Sequence, residues 1–269
     1  MEHHGIAPAE PGYPPLLRER LGADAPPLAA RGAFRLLERF CLAAACTDEI
    51  PGSALIAAND LLFQVRETPC NYVGGWHSVM ETEIFRLALD RRSAGWEGRS
   101  LTVIRALSFR HQTPVDFLTT RFGHGGPFSN FPEKPEFLRR DATGEMLWLS
   151  AAPDHLTEMT EDVIARRNQL ACAMSHVVFL PYAGPTSRTI ALAAWILEHR
   201  IPAFTSMDEE CAPLRELGVR GLTRKAVRPF LEEHGAFRPG WPTPQECFGT
   251  GGAERSKAPI PEDGSLSGA

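Results

Sequence analysis

The chain has 269 residues, of which 43% are hydrophobic and 23% are charged, with a formal net charge of -5. This balance is ordinary for a globular protein, and the length suffices for one sizeable core without disulfides or metals. A net negative charge excludes binding to nucleic acid that is driven by the overall charge of the protein, so only a local basic pocket could bind phosphate.

The chain shows no targeting or metal-binding pattern. No stretch approaches the roughly 18 to 20 apolar residues of a membrane span, and the N-terminus lacks the basic start and apolar core of a signal peptide. We therefore expect a cytoplasmic protein without a membrane contact. The cysteines form no C-x-x-C pair and the histidines show no metal-ligand spacing, so we predict neither a metal nor a cofactor.

The two ends of the chain differ from its centre. Residues 1–33 form a proline-rich lead-in, where the proline density disfavours regular helices and sheet interiors, and we expect one short helical turn at Leu16–Leu21. Residues 236–269 are rich in Gly, Pro, Ser and charge and have almost no aliphatic pattern, which predicts a disordered tail.

Between the ends, short apolar runs alternate with helical stretches, which is typical of βαβ units. The runs are continuously apolar, as in strands covered on both faces. The predicted strands are 40–46, 70–73, 101–106, 146–150, 176–181 and 202–205, and the predicted helices are 53–67, 78–92, 159–174, 187–199, 209–217 and 222–233. We predict an α/β fold with a doubly wound, mostly parallel, Rossmann-like sheet in a single core domain at 34–220, followed by a C-terminal helix at 221–235.

The segment 107–140 fits that alternation poorly and is too long for a simple connector. The residues that suggest a functional role in this region are Arg105, Arg110, His111, Arg121, His124, Gly125, Gly126, Asn130 and Arg139. The segment leaves the carboxyl end of a predicted strand, where ligands of open α/β sheets bind, so we favour a functional loop.

A candidate phosphate cradle follows the second predicted strand, at Gly74-Gly75-Trp76-His77-Ser78. Two glycines let the backbone turn sharply and approach a ligand, and Ser78 can cap the next helix so that its amides face a phosphate. A plain tight turn, in which His77 satisfies a loop carbonyl, is the alternative interpretation. The loop is neither a Rossmann dinucleotide fingerprint nor a Walker motif.

A second candidate cradle follows the fifth predicted strand. It offers Gly184, the hydroxyls of Thr186, Ser187 and Thr189, and Arg188 at a helix N-terminus. These groups suit an anion, although a capped helix that satisfies its own amides is the alternative. We favour the anion site because both loops should lie at the same edge of the sheet.

The helix before the fifth predicted strand carries Arg166-Arg167-Asn168. Adjacent helical residues point about 100° apart, so at most one of the two arginines faces the crevice at the strand ends while the other is solvated. A surface charge pair is the competing interpretation.

These features, in this order, resemble the DNA-processing protein A family (DprA, also called Smf). The resemblance covers roughly residues 12–220, and it rests on Tyr13–Arg18, Pro26–Leu28, Arg31-Gly32, Gly74–Leu89, Arg166–Ala183, Ser187–Thr189 and Ile201–Thr205. The Arg-Arg-Asn block with its following strand and loop is the most specific part. The resemblance implies a Rossmann-like domain of the superfamily shared with the LOG proteins, and a role in single-stranded DNA binding, DNA processing and recombination.

Some motifs of these families are replaced. Full-length DprA members carry Gly-Ser-Arg, whose arginine contributes to their single-stranded DNA pocket, where this chain has Ala45-Cys46-Thr47-Asp48. Gly75-Trp76-His77 stands in place of Gly-Ile-Asp, and the family's C-terminal winged-helix module is not recognisable. LOG proteins cleave nucleoside monophosphates with a glutamate where this chain has Leu192. We therefore expect no catalytic residue and a protein that is not an enzyme.

We predict a DprA-like nucleic-acid-binding protein whose loop amides and arginines hold phosphates and whose Trp76 or His77 stacks on a base. The predicted contact residues are Gly74, Gly75, Trp76, His77, Ser78, Arg110, Arg166, Arg167, Asn168, Gly184, Thr186, Ser187, Arg188 and Thr189. The expected partner is single-stranded nucleic acid or a nucleotide.

Three alternatives stay open. One is a small-nucleotide binder or a nucleotide-processing enzyme of the LOG-like superfamily, using His77 and one of Glu81 and Glu83, which diverge on their helix. Another is an antitoxin or partner module of a defence or toxin system. A homodimer that uses the apolar helix Ile190–Leu197 is the third.

Overall fold

The computed structural model describes residues 3–92, 95–111, 114–122 and 131–248. In these ranges the strands are β1 (His4–Ile6), β2 (Leu28–Gly32), β3 (Cys41–Ala44), β4 (Asn71–Gly74), β5 (Ser100–Arg105), β6 (Leu147–Ser150), β7 (Val177–Phe179), β8 (Ala203–Ser206) and β9 (Arg220–Leu222). The helices are α1 (Pro15–Leu21), α2 (Gly52–Val65), α3 (Val79–Leu89), α4 (Pro114–Phe122), α5 (Lys134–Thr143), α6 (Glu161–Ala173), α7 (Arg188–Glu198), α8 (Ala212–Leu217), α9 (Arg224–Glu233) and α10 (Pro244–Cys247). None of these helices has both the length and the apolar character needed to span a membrane.

The strands form one sheet in the order β1-β2-β6-β5-β4-β3-β7-β8-β9. The pairings of β1 with β2 and of β2 with β6 are antiparallel, and the other pairings are parallel. The chain proceeds from β3 to β6 in one direction across the sheet and from β7 to β9 in the other. The order therefore reverses between β3 and β7, and such a switch point is where open α/β sheets bind ligands.

The predicted doubly wound α/β fold is confirmed. The six strands expected from the sequence are β3 to β8, and all of their residues are buried. Helices α2, α3, α4, α5 and α9 contribute to the core on one face, and α1, α6, α7 and α8 contribute to the core on the other. Coverage of both faces explains why these strands are continuously apolar.

The proline-rich lead-in contributes more structure than the sequence predicts. The expected helical turn is α1, but β2 also joins the sheet beside β6 and carries β1 at its outer edge. Pro26 and Pro27 precede β2 and do not interrupt it, so they remove no hydrogen bond from the ladder. Gly32 ends the strand at φ 100°, where a Cβ atom would collide with the carbonyl of Met146.

The segment 107–140 is not the long loop that the sequence predicts, because it contains α4 and α5. Their Phe117 and Phe137 side chains are buried, and both rings pack against Trp148 in the core. The segment therefore helps to cover one face of the sheet. His124, Gly125, Gly126, Asn130 and the side chain of Arg121 lie outside the described residues.

Residues 236–248 belong to the predicted tail, yet they lie against the core. Nε of Arg39 donates to the Pro242 carbonyl at 2.8 Å, and the Trp241 ring lies 5.1 Å from the His176 ring. Helix α10 begins with a capping box between Thr243 and Glu246. Composition missed this packing because a few large side chains carry it. Residues 249–269 lie outside the described residues.

Candidate functional site

A crevice of about 680 Å³ lies at the carboxyl ends of β3, β4 and β7. Its lining includes Cys46, Thr47 and Asp48 after β3, His77, Ser78 and Glu81 after β4, Arg167 and Asn168 in α6, and Thr186, Ser187, Arg188 and Thr189 after β7. Because β3 and β7 flank the switch point, the crevice occupies the usual ligand position of this fold. The loops after β4 and β7 share one edge of the sheet, as the sequence predicts.

The two glycines after β4 accommodate protein side chains, which corrects their prediction as phosphate ligands. A Cβ atom at Gly74 would lie 3.3 Å from the Trp76 ring, and one at Gly75 would lie 2.6 Å from Cζ of Arg167. Neither glycine lines the crevice. The space beside the two glycines is occupied by the side chains of Trp76 and Arg167.

Trp76 does not stack on a ligand, so that prediction is wrong. The side chain is fully buried, its ring packs against Phe85, and its Nε1 donates to the carbonyl of Thr102 at 3.2 Å. The residue has φ 62°, a conformation that is rare for a bulky side chain. His77 is half-buried and lines the crevice, so it keeps the position predicted for a stacking residue.

Glu81 takes the place that we expected for an anion. Ser78 caps α3 as predicted, with its hydroxyl accepting from the Glu81 amide at 3.2 Å. The Glu81 carboxylate accepts from the amides of His77 at 2.8 Å and Cys46 at 3.4 Å. Burial raises the pKa of Glu81 above its ordinary value, and the nearby Arg167 guanidinium offsets only part of this increase. The amides of His77 and Cys46 are therefore satisfied by an internal carboxylate.

The sequence carried one signal for this role of Glu81. A glutamate three residues after a serine N-cap is the capping-box spacing, from which a carboxylate folds back onto the amides before the helix. Glu83, the other acid of the pair, instead lies 3.3 Å from Arg86 on the surface. The two acids diverge as the helical geometry requires.

Arg167 and Arg166 also separate as helical geometry requires. Arg167 is 6% exposed and lines the crevice, where its Nε and Nη2 donate to Oδ1 of Asn168 at 3.1 and 2.8 Å. Arg166 is exposed and lies outside the crevice lining. Arg167 therefore brings the buried guanidinium of the Arg-Arg-Asn block to the strand-end edge.

The loop after β7 shows the capped helix that was the alternative interpretation, and the anion site stays a prediction. Ser187 caps α7, since its Oγ accepts from the Ile190 amide at 3.3 Å and donates to the Gly184 carbonyl at 2.7 Å. Ser187 and its neighbours at 186–189 also line the crevice, but Gly184 does not. Nη1 of Arg188 lies 3.5 Å from the Glu161 carboxylate, and both side chains are exposed, so this pair is weak.

Arg110 does not line the crevice, so the structure does not bring it together with the other predicted phosphate ligands. Its exposed guanidinium lies 3.7 Å from the carboxylate of Asp154 and lines neither of the cavities described. Among the described residues, no three His, Cys, Asp or Glu side chains are grouped as a metal ion would require.

The charge in the crevice is mixed, whereas phosphate binding was expected to need a local basic pocket. Asp48, Glu81 and Glu161 line it together with Arg167 and Arg188. The groups that suit an anion are the two arginines and the start of α7, which form one wall, and Glu161 lies on the same wall beside Arg188. The carboxylates suit hydroxyl and amino donors.

A second cavity of about 490 Å³ lies beside the crevice, on the face of α1, α6 and α7. The two cavities share Arg167 and Gln169, and the second is also lined by Arg105 and Arg166. Arg167 thus lies between two hollows at the strand-end edge of the sheet.

The fold is that of DprA. The structure matches DprA from Streptococcus pneumoniae with a TM-score of 0.61 and 16% sequence identity over 84% of this chain and 73% of that protein. It matches DprA from Helicobacter pylori, whose structure concerns a single-stranded DNA binding mode, with a TM-score of 0.59 and 17% identity over 87% of this chain and 97% of that one. No protein-family model and no curated protein matches the sequence. The resemblance inferred from the motifs is confirmed at the level of the fold.

Proposed function

We propose that this chain is a DprA-like protein that binds single-stranded nucleic acid in the crevice at the carboxyl edge of its sheet. The position of Arg167 carries the proposal. Its guanidinium is almost completely buried, yet it lines the crevice at the switch point of a fold shared with a DNA-binding protein. Asn168 orients it and Gly75 leaves it room.

The phosphodiester would lie against the wall of Arg167, Arg188 and the N-terminus of α7. That wall supplies two cations, the hydroxyls of Thr186 and Thr189, and the positive end of a helix dipole. His77 lines the crevice and would stack on a base, which is worth about 1 to 3 kcal/mol. The carboxylates of the lining, Asp48, Glu81 and Glu161, would accept from base amino groups or sugar hydroxyls.

Fluorescence anisotropy with labelled oligo-dT at two salt concentrations tests the proposal. Two phosphate contacts predict a slope of about -1.4 for the logarithm of the association constant against that of the salt concentration. Arg167→Gln should weaken binding at least about tenfold, since it removes hydrogen bonds from a charged donor. Arg228→Gln, on the exposed side of α9, is the matched control and should bind like the unmodified chain.

Because Arg167 is buried, Arg188→Gln provides a second test on an exposed side chain. It should also weaken oligo-dT binding without changing the free energy of unfolding. The proposal fails if the unmodified chain shows no binding below about 10 μM at 50 mM salt, or if its binding does not depend on salt.

A small nucleotide in the same crevice is the second candidate, and the mixed charge of the lining favours it. A volume of about 680 Å³ and three carboxylates suit the hydroxyl and amino groups of one nucleotide better than a run of phosphates. Thermal-shift measurements separate the two candidates. Stabilisation by micromolar mononucleotide that Arg188→Gln abolishes, with oligo-dT inert, would favour the second, because Arg188 lines only the crevice.

A further inference from the structure

The second cavity is built as a binding site in its own right. It lies between the lead-in, α6, α7 and the carboxyl ends of β5 and β6, and its volume of about 490 Å³ falls in the range of small-ligand pockets. Leu156, Val163 and Leu170 give it apolar surface. Such a combination of apolar walls with a few polar groups is typical of cofactor and metabolite sites.

Positive charge is concentrated around this cavity. Arg105, Arg166 and Arg167 line it, against the single carboxylate of Asp24 among its described lining residues. It is therefore the more positive of the two cavities, and its charge suits an anionic ligand.

Arg105 is a buried arginine of this cavity whose hydrogen-bonding groups are not all satisfied by the described residues. It is 5% exposed, and within the described part of the chain its buried Nε has no hydrogen-bond partner. Its Cζ lies 5.2 Å from the Phe117 ring centroid and 5.7 Å from that of Trp148, contacts that offset only part of the cost of burial. Burial lowers the pKa of Arg105 to about 10, with Asp116 opposing that change and Arg167 adding to it.

An aromatic wall completes the cavity. The rings of Trp195 and His199 in and after α7 are stacked, with centroids 4.0 Å apart and planes at 27°. Nδ1 of His199 is bonded to the Trp195 carbonyl at 2.9 Å, which holds the imidazole in place. A planar base can stack on such a surface.

We propose that this second cavity binds a nucleoside monophosphate. The phosphate contacts Arg166 and Arg167, near the positive charge of Arg105, the base lies against Trp195 and His199, and Asp24 accepts from the ribose hydroxyls. The proposal does not depend on nucleic-acid binding in the crevice, because Arg166, Trp195 and Asp24 line only the second cavity.

Calorimetric titration of the full chain with AMP tests this proposal. We expect binding with a dissociation constant below about 1 mM. Arg166→Ala should weaken it at least about tenfold, as expected for the loss of a charged hydrogen-bond donor. Arg188→Ala is the matched control: it is an exposed arginine that lines only the crevice, and it should change AMP affinity less than about twofold. Both changes are at exposed side chains, so folding is preserved.

Tryptophan fluorescence tests the position of the base. AMP should quench the emission, Trp195→Phe should abolish the quenching, and inorganic phosphate alone should produce none. The proposal is overturned if AMP does not bind, if Arg188→Ala weakens AMP binding while Arg166→Ala does not, or if quenching persists in Trp195→Phe. Loss of oligo-dT binding in Arg188→Gln bears only on the crevice, so the two proposals fail separately.

Discussion

Gly75 determines where the Arg167 guanidinium lies. A Cβ atom there would approach Cζ and Nε of Arg167 to 2.6 Å, and a guanidinium at the end of a long side chain can move away. We therefore expect Gly75→Ala to displace Arg167 and to weaken oligo-dT binding about tenfold, while the free energy of unfolding changes by less than about 1 kcal/mol. Anisotropy and urea denaturation measure the two effects.

Gly74→Ala is the matched control for that substitution. Its Cβ atom would meet the buried Trp76 ring at 3.3 Å, so it should reduce stability and leave Arg167 in place. If both alanine variants bind oligo-dT like the unmodified chain, Arg167 does not contact the ligand.

His176 should make the stability of the chain depend on pH. Burial lowers its pKa to about 4, with Arg20 and Arg238 adding to the effect, and its Nδ1 accepts from the Cys41 amide at 3.0 Å. In the unfolded chain its pKa is about 6.5, so the unfolded state binds the extra proton as pH falls. The free energy of unfolding should therefore decrease between about pH 6.5 and pH 4, by about 3 kcal/mol in all.

Urea denaturation of the unmodified chain and of His176→Asn, at pH 7 and pH 4.5, isolates this contribution. Asparagine can still accept from the Cys41 amide but does not titrate in this range. Because all other groups are the same in both chains, the difference between them should be larger at neutral pH. An equal difference at the two pH values would show that His176 titrates normally.

The candidate site could be predicted in its position but not in its internal contacts. Strand order along the chain placed the loops after β4 and β7 at one edge, and helical geometry separated Arg166 from Arg167. The inward turn of Trp76 and the fold-back of Glu81 onto the loop amides depend on the space between two elements. Sequence spacing does not contain that information. A Gly-Gly pair has the same sequence whether a ligand or a protein side chain occupies the space beside it.

At the scale of elements, the caps of α6 and α7 form a matched pair. The Thr160 hydroxyl accepts from the Val163 amide at 3.4 Å, and the Ser187 hydroxyl accepts from the Ile190 amide at 3.3 Å. Thr160→Ala and Ser187→Ala should each lower the free energy of unfolding by about 1 kcal/mol. Only Ser187 lines the crevice, so only its substitution should also weaken oligo-dT binding.

Urea denaturation and anisotropy on both variants measure these effects. Equal binding by the two variants would mean that the start of α7 serves the helix alone. If Thr160→Ala also loses oligo-dT binding, the loss in Ser187→Ala results from general destabilisation of the fold.

The same scale shows which elements can be found from sequence. Strands β3 to β8 are buried on both faces, so their apolar runs stand out. Strands β1 and β9 are three residues long and partly exposed at the sheet edges. Backbone hydrogen bonds to a neighbouring strand hold them in the sheet, and such bonds require no hydrophobic pattern in the sequence. Helices α4 and α5 each place a phenylalanine, Phe117 and Phe137, in the core.

At the scale of the whole molecule, a hydrogen bond links the start of β3 to residues 236–248, at the end of the described chain. Arg39, which precedes β3, is 3% exposed and donates to the Ser100 hydroxyl at 2.6 Å, the Gly98 carbonyl at 2.7 Å and the Pro242 carbonyl at 2.8 Å. Burial lowers the pKa of this arginine. Residues 236–248 therefore satisfy a charged group of the core.

Removing everything after Gly235 should lower the free energy of unfolding by about 2 to 4 kcal/mol. The shortened chain loses the Pro242 acceptor of a buried charge and the Trp241 ring that packs on His176. A chain that ends at Phe248 keeps these contacts and is the control for urea denaturation. If both shortened chains unfold at the same urea concentration, the segment only lies on the core; if the shorter one alone is destabilised, residues 236–248 are part of the folding unit.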